Sequence, residues 1–292
     1  MLKNTVYLKL TNACNLLCPF CYNIKANRIK LNLEKVIHAL KGISPDKIIF
    51  HGGEPLLAVN DSLTIINYFK HIEFSITSNL TTEITDDVIQ LLKQCEIATS
   101  YSCDRFINKS SFDKFINNIQ FIQENLRKDI TLLITLSENQ LKQSINNLLN
   151  IIELIQPTYV RFERLYFTND IDKEYKKEFY ELTDNYLFNV FSVFKDSRNV
   201  LMLNMLESIK NNTSVYPTKC SENIFTIEPN GSYYSCPNSG KPVNNLNNKR
   251  DCIKCSYFKY CQSDCESFRD VCSFPKKTFD LVKRLYEDGN IS

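Results

Sequence analysis

Ten of the twelve cysteines in this chain of 292 residues fall into two sets with regular spacing. The first set has the pattern C-x3-C-x2-C and consists of Cys14, Cys18 and Cys21. The second set lies near the other end of the chain and contains Cys220, Cys236, Cys252, Cys255, Cys261, Cys265 and Cys272. Dense disulfide frameworks are typical of short exported chains, whereas this chain is long and shows no signal-peptide pattern. The cysteines are therefore predicted to be metal ligands.

The short cysteine loop predicts an iron–sulfur cluster with one reactive iron. A cube of four irons that only carries electrons is normally held by four cysteines. Three cysteines leave the fourth iron without a protein ligand, so a small molecule can bind to it. The loop directly follows an apolar alternating strand at residues 5–10 and precedes a helical pattern that starts at Asn32. A reaction site is therefore expected directly after the first strand.

Strand and helix patterns alternate between residues 5 and 166. The predicted strands are residues 6–10, 47–50, 73–77, 97–102, 131–135 and 159–165. The helical patterns, with apolar residues every three or four positions, are residues 33–40, 62–69, 86–92, 112–126 and 141–155. Asp61, Thr85 and Ser111 are the predicted helix caps. The alternation predicts an α/β fold with a parallel sheet, either a partial barrel or a doubly wound sheet.

A second motif, HGGEP at residues 51–55, directly follows the second predicted strand. Paired glycines let the backbone approach a ligand that a side chain would block, although Gly-Gly alone also forms simple turns. With the three-cysteine loop ahead of it, the motif resembles the radical S-adenosylmethionine (SAM) superfamily. Members of that family bind SAM at the open iron and cleave it, after one-electron reduction, to a 5′-deoxyadenosyl radical. The resemblance implies a partial (β/α)6 barrel with catalytic groups at the carboxyl ends of its strands.

The resemblance also implies which residues contact SAM. These residues are Phe20, Tyr22, Gly52, Gly53, Glu54, Ser78 and Ser102. The two aromatic residues would lie near the adenine, the glycines would contact SAM through their backbone, and Glu54 would accept a charge-assisted hydrogen bond from its amino group. Ser102 matches a serine that touches SAM in relatives. Arg105 replaces a glycine of the relatives, and their later SAM-contacting arginine has no clear counterpart here.

Two cysteines lie outside the two sets, and both are assigned to the core. Neighbouring strand residues face opposite sides, so Ser102 and Asp104 share one side and Cys103 takes the other. With Ser102 in the barrel, Cys103 faces the helices, the alternative role being a hydrogen-atom donor. Cys95 ends a helical pattern and packs in the core.

The sixth predicted strand carries the charged sequence Arg-Phe-Glu-Arg at residues 161–164. Charged residues in so apolar a strand need partners or a wet cavity. They either line the barrel lumen and contact the substrate, or they form an ordinary ion pair at the sheet edge.

The second cysteine set resembles the SPASM domain, which binds auxiliary iron–sulfur clusters in a radical SAM subfamily. It combines a G-x4-C that ends at Cys236 with a later C-x2-C-x5-C-x3-C run, whose C-x2-C also occurs in zinc ribbons. The resemblance implies one cluster on Cys252, Cys255, Cys261 and Cys272. It implies a second cluster on Cys220, Cys236 and Cys265. Two cubes need eight ligands, so Ser214, another side chain, water or a substrate thiolate would complete the second one.

A polar stretch at residues 211–214 marks the predicted domain boundary. Residues 1–210 are predicted to form the barrel with its bridging helices, and residues 211–292 a small Cys-rich SPASM domain. The cofactors implied are three 4Fe-4S clusters and SAM. With 35 basic and 33 acidic residues, the chain gives no reason to expect nucleic acid, and its apolar runs are too short to span a membrane. We expect a cytoplasmic enzyme.

The substrates of the SPASM subfamily are mostly peptides or protein side chains. The resemblance therefore implies a peptide-modifying enzyme that installs a thioether or carbon–carbon crosslink in a ribosomally made peptide. Sulfatase maturation is the alternative enzyme function, and an electron-relay or scaffold protein is the alternative without catalysis. The expected partners are the peptide substrate, an external electron donor such as flavodoxin or ferredoxin, and a separate leader-binding protein, because the first strand starts too early for a fused one.

Overall fold

The computed structural model describes residues 4–21, 30–106, 108–165, 171–215, 223–235, 255–261 and 271–292. Five predicted site residues lie outside these ranges: Tyr22, Cys220, Cys236, Cys252 and Cys265. Their roles stay predictions.

All six predicted strands are present, and they form one parallel sheet. The strands are β1 (Thr5–Thr11), β2 (Lys47–Gly52), β3 (Glu73–Ser78), β4 (Glu96–Tyr101), β5 (Ile130–Leu136) and β6 (Tyr159–Arg164). Each strand pairs with the next one along the chain, so the order in the sheet follows the order in the sequence. In a doubly wound sheet the strand order reverses at a switch point, whereas in the wall of a barrel each strand lies beside the next one along the chain. The topology therefore supports a partial barrel.

Helices follow the strands and continue into the second half of the chain. They are α1 (Leu33–Ile43), α2 (Val59–Tyr68), α3 (Asp86–Lys93), α4 (Lys109–Asn125), α5 (Glu138–Leu141), α6 (Ile145–Ile155), α7 (Lys173–Val193), α8 (Val200–Asn211), α9 (Phe258–Cys261) and α10 (Lys276–Glu287). A 3-10 turn, Pro55–Ala58, separates β2 from α2. In the described part of the chain, no helix is both long enough and apolar enough to cross a membrane.

One of the three predicted helix caps is confirmed. The Thr85 hydroxyl accepts a hydrogen bond from the backbone N–H of Val88 and caps α3. The prediction for Asp61 is wrong because the 3-10 turn runs directly into α2, which places Asp61 in the first helical turn. The prediction for Ser111 is wrong because α4 starts earlier. Asn108 caps that helix, with Oδ1 2.9 Å from the backbone N of Ser111.

The core lies between the sheet and its helices. Alternate residues of each strand face the helices and are buried, as Leu8 in β1, Phe50 in β2 and Leu132 in β5 illustrate. Their strand neighbours line the opposite side of the sheet, called the polar face here, where Thr131 and Thr135 remain partly exposed. Because side chains alternate along a strand, one apolar series per strand suffices to build this core.

A carboxyl-terminal hairpin extends the same sheet beyond β1. Strand β7 (Ile224–Ile227) pairs in parallel with β1, and β8 (Tyr233–Ser235) pairs antiparallel with β7. On the polar face, the Lys9 ammonium lies 2.7 Å from Oε1 of Glu228 and 3.2 Å from the Tyr234 hydroxyl. This part of the chain thus packs on the barrel, and the domain boundary at residue 210 stays a prediction.

The two cysteines outside the sets differ in burial. Cys95 is 1% exposed and packs in the core, which confirms its assignment. Cys103 is half-buried, and its backbone N–H donates to Oε1 of Gln140 at 2.9 Å. Its assignment to the core is not confirmed, because β4 ends at Tyr101 and the chain turns before it reaches Cys103.

Candidate active site

The three-cysteine loop leaves β1 at the carboxyl edge of the sheet, which we call the barrel mouth. Cys14 is exposed, Cys21 is half-buried and Cys18 is buried. The backbone N–H of Leu16 donates to the Cys14 sulfur at 3.4 Å, and a tight turn joins the Cys21 N–H to the Cys18 carbonyl at 3.0 Å. The loop therefore presents its sulfurs at a defined place at the carboxyl ends of the strands.

Gly52 and Gly53 are required by the close approach of this loop to the end of β2. Gly52 has φ +125°, and a Cβ there would lie 2.5 Å from the carbonyl oxygen of Thr11. A Cβ on Gly53 would lie 2.0 Å from the carbonyl oxygen of Ala13. The Gly53 N–H donates to the Thr11 carbonyl at 2.8 Å. Backbone contact within the protein thus gives a physical reason for the paired glycines.

Glu54 is fully buried and accepts three hydrogen bonds. Its Oε1 lies 2.9 Å from the Leu56 nitrogen and 2.8 Å from the Ser78 hydroxyl, and its Oε2 lies 2.7 Å from the Asn79 nitrogen. Burial raises the pKa of the Glu54 carboxyl, and these hydrogen bonds oppose the rise. A carboxylate offers about four acceptor positions, so one remains on Oε2. Glu54 therefore joins the ends of β2 and β3, and its three bonds leave one acceptor position on Oε2 unused.

Asn79, at the end of β3, joins that strand to the cysteine loop. Its side chain is 2% exposed, and Nδ2 lies 2.7 Å from Oδ1 of Asn15 and 3.6 Å from the Cys14 sulfur. Thr81 donates both its N–H and its hydroxyl to Oδ1 of Asn79, at 2.9 and 2.6 Å. No role was predicted for Asn79, although its place at a strand end beside Ser78 was a usable signal.

A second polar cluster lies at the ends of β4 and β5. The Ser102 hydroxyl is buried, bonds to the Asp104 carboxylate and lies 2.9 Å from the Ser137 hydroxyl. Asp104 also accepts from Ser137 at 3.0 Å and from Nδ2 of Asn139 at 3.2 Å. The side chains of Ser102 and Asp104 therefore meet, in the turn after β4 and not through strand alternation.

Arg105 brings a positive charge to the barrel mouth. Its Nη1 donates to the Ser100 hydroxyl, and its buried Nε has no hydrogen-bond partner among the described residues. Burial raises the pKa of the Cys14 and Cys18 thiols, and the charge of Arg105 opposes the rise. The sequence alone shows Arg105 only as a replacement for a glycine of the relatives. Its electrostatic influence on the cysteine loop depends on how the ends of β1 and β4 converge.

The polar face continues below the mouth. The rings of Tyr7 and His51 meet edge to face at a centroid distance of 5.8 Å. Burial, with a smaller contribution from Lys9, lowers the pKa of His51 to about 4, so this imidazole is neutral near pH 7. Arg161 and Glu163 of β6 are exposed on this face and form no ion pair with another described residue, and their contact with a substrate stays a prediction.

Three cysteines of the second set are described. Cys255 and Cys261 are half-buried, and Cys272 is exposed. Ser214 is 8% exposed, and its hydroxyl donates to the Tyr260 carbonyl at 3.0 Å. Near Cys272, the buried Arg164 of β6 donates to the carbonyl of Ser273. The segment that carries Cys272 is thereby attached to the end of β6.

The donor set of the first loop fits a four-iron cube. Within the described ranges, no three His, Cys, Asp or Glu side chains converge on a single ion. A cube binds its ligands on separate irons, so its cysteines do not need to converge. Thiolates are the ligands that iron–sulfur clusters select, and Cys21 lies close enough to Cys14 and Cys18 to contribute to the raised pKa of both thiols. The loop can therefore hold three irons and leave the fourth accessible from the mouth.

Sequence comparisons identify the family of the amino-terminal part. Residues 8–152 match the family model of the Radical SAM superfamily. An uncharacterized protein of Methanocaldococcus jannaschii is 31% identical over 107 residues, which are 33% of this chain and 37% of that protein. Another protein of that organism, described by name as a glycyl-radical enzyme activating enzyme, is 26% identical over 125 residues. These residues are 41% of this chain and 52% of that protein, so the matches span about half or less of both relatives.

Structure comparisons agree on the fold. Streptococcus suis SuiB bound to S-adenosylmethionine is similar with a TM-score of 0.54 and 14% identity, over 83% of this chain and 62% of that one. Another crystal structure of SuiB is similar with a TM-score of 0.52. At this identity the likeness concerns the fold alone. The family match runs from β1 into α6 and includes the cysteine loop and HGGEP, so residues 8–152 match a domain of the radical SAM superfamily, whose members use a 4Fe-4S cluster and SAM.

Proposed function

We propose that this chain cleaves SAM reductively and uses the resulting radical to modify a peptide, by installing a thioether or carbon–carbon crosslink. The observation that carries the proposal is the three-cysteine loop, which lies against Gly53 and is joined to Glu54 through Asn79. The cluster, when bound to Cys14, Cys18 and Cys21, supplies the electron that cleaves SAM.

The remaining acceptor position of Glu54 suits the SAM ammonium group, since a charged donor gives a strong hydrogen bond. Phe20 and Tyr22 follow in the same loop and would contact the adenine. Gly52 and Gly53 would approach SAM with their backbone. Ser78 acts through its hydrogen bond to Glu54. Ser102 is fully buried and would contact SAM from the β4 end of the mouth.

A peptide substrate is supported by the polar face and by the second cysteine set. Arg161 and Glu163 extend from β6 into the open side of the sheet, where an extended chain with charged groups can bind. The bond between Arg164 and Ser273 attaches the Cys272 segment to the end of the same strand. Auxiliary clusters in a SPASM domain at residues 211–292 would thus lie near the mouth. An external one-electron donor and a leader-binding protein are the proposed partners.

The decisive test is formation of 5′-deoxyadenosine from SAM by anaerobically reconstituted protein under a strong reductant. Replacing Cys14, Cys18 and Cys21 together with Ala should abolish the product and remove one cluster's worth of iron. Cys103→Ala removes a thiol outside the two cysteine sets, and it should keep both the product and the full iron content. Product from the triple variant, or near-stoichiometric zinc in place of most of the iron, would contradict the proposal.

Peptide modification needs its own readout. Short peptides encoded beside the gene should lose two hydrogens per crosslink in the presence of SAM and reductant, which mass spectrometry measures. Formylglycine formation in a sulfatase-derived peptide, with no change in the neighbouring peptide, would favour the alternative function of sulfatase maturation. Clusters that are present without any SAM cleavage would favour an electron relay.

A further inference from the structure

The orientation of the Asn79 side-chain amide is determined by its surroundings. Its Oδ1 accepts two hydrogen bonds from Thr81, at 2.9 Å from the backbone nitrogen and 2.6 Å from the hydroxyl. The two ends of an amide are told apart by such partners, so the NH2 group must point the other way. It faces the cysteine loop, where Oδ1 of Asn15 accepts at 2.7 Å and the Cys14 sulfur lies at 3.6 Å.

The same residue contacts the buried carboxylate through its backbone. The N–H of Asn79 donates to Oε2 of Glu54 at 2.7 Å, the oxygen that has an acceptor position left. Asn79 is 2% exposed, so its backbone bond to Glu54 is shielded from water, and its contact with the exposed Cys14 is partly shielded. Asn79 therefore connects a cluster thiolate to the proposed binding site of the SAM ammonium group.

We propose that Asn79 is a positioning residue that tunes the first cluster through a hydrogen bond from its side-chain amide to the Cys14 sulfur. A bond donated to a cluster thiolate stabilises the more negative, reduced state more than the oxidised state, and hydrogen bonds to the sulfurs are among the factors that set cluster potentials. The bond therefore makes the cluster easier to reduce. This inference rests on the proposed function, because it needs the cluster on Cys14, Cys18 and Cys21.

The test is a redox titration of the reconstituted full chain, followed by electron paramagnetic resonance. The first cluster is recognised as the signal that changes when SAM is added. Asn79→Ala removes the donor and leaves the backbone bond to Glu54 intact. We expect the ratio of reduced to oxidised first cluster at a fixed potential to fall about tenfold, which equals about 59 mV for one electron. The auxiliary clusters should keep their potentials.

Asn118→Ala is the matched control. Asn118 is a buried asparagine of α4 whose Nδ2 donates to the carbonyls of Leu80 and Thr82, both at 2.8 Å, and so holds the loop after β3 without contacting Cys14. It should leave the potential unchanged. Thr81→Val is a milder second variant, because it removes the hydroxyl bond to Oδ1 of Asn79 and keeps the backbone bond, and it should shift the potential in the same direction by a smaller amount.

The outcomes separate this inference from the proposed function. A cluster that responds to SAM in the wild type but keeps its potential in Asn79→Ala and Thr81→Val would overturn the role of Asn79 alone. An equal shift in Asn118→Ala would also overturn it, because general loosening of the loop would then explain the effect. A wild-type protein without any SAM-responsive cluster would instead overturn the proposed function.

Discussion

At the scale of single residues, the barrel mouth is built from buried polar groups that satisfy one another. Glu54, Ser78 and Asn79 are each at most 2% exposed, and all three take part in one hydrogen-bonded network. In surroundings of low dielectric constant, such bonds are strong when complete and costly when one partner is lost. Single substitutions here should therefore change both stability and ligand binding.

Glu54→Gln is expected to lower stability and SAM affinity together. The amide NH2 would face either the N–H of Asn79 or the donors from Leu56 and Ser78, so a buried donor would lose its acceptor. We expect a loss of about 1–3 kcal/mol in unfolding free energy and of about 1.5–3 kcal/mol in SAM binding. Denaturant unfolding and calorimetry measure the two. Glu83→Gln, at an exposed position nearby, is the control, and equal effects of both would refute a special role for Glu54.

Gly53→Ala is expected to displace the cysteine loop. Its Cβ would lie 2.0 Å from the carbonyl oxygen of Ala13, which is backbone and cannot rotate away. We expect reduced iron incorporation and a lower melting temperature. Gly42→Ala in α1 is the control, because nothing lies within 4 Å of its Cβ. That substitution should stabilise the protein by about 0.5–1 kcal/mol. Normal iron content in Gly53→Ala would contradict the packing reason for this glycine.

At the scale of secondary-structure elements, α10 lacks a cap of its own and takes one from α7. Pro275 precedes the helix and provides no side-chain hydrogen bond. Instead, the Asp184 carboxylate accepts from the backbone nitrogens of Lys277 and Thr278, at 2.8 and 2.9 Å, and from the Thr278 hydroxyl at 2.7 Å. A carboxylate at a helix amino terminus also has a favourable interaction with the helix dipole. Asp184 thus positions the last helix on the barrel.

Asp184→Ala should therefore loosen α10. The loss of a helix cap costs about 0.5–2 kcal/mol, and this one is buried, so we expect the upper end of that range. Hydrogen exchange should become faster in α10 and remain slow in the strands. Glu181→Ala, at an exposed position of α7, the helix that also carries Asp184, should have little effect. Equal exchange in the two variants would show that α10 is held by its apolar contacts alone.

At the scale of the whole molecule, residues far apart in sequence meet where the carboxyl-terminal segments contact the sheet. The ion pair between Lys9 and Glu228 joins β1 to the segment after β7, with side-chain exposures of 8% and 17%. The bond from Arg164 to Ser273 joins β6 to the segment beside Cys272. The carboxyl-terminal segments therefore contact the barrel at both ends of the six-stranded wall.

Lys9→Met should weaken this attachment. It leaves the Glu228 carboxylate buried without its ammonium partner, a change that costs about 3–5 kcal/mol for a fully buried pair and less for this partly shielded one. We expect a loss of about 2–3 kcal/mol, measured by denaturant unfolding. The double variant Lys9→Met/Glu228→Gln should recover part of it, because a neutral amide can still accept from Tyr234. Additive losses would show that the two residues act independently.

The sequence by itself determined the strand–helix alternation, the cysteine loop and the motif after β2, because apolar periodicity and cysteine spacing are local properties. Tertiary structure decided the sequential strand order and the partners of the candidate site residues. Ser78 illustrates the difference: it was assigned to SAM, and its hydroxyl bonds to Glu54. Asn79 reaches the cysteine loop from β3, and the charge of Arg105 acts on that loop from the end of β4. No local pattern encodes such an interaction. Parallel pairing brings strand ends together only after the whole sheet has formed, so the residues that surround a site at its edge are set by long-range register.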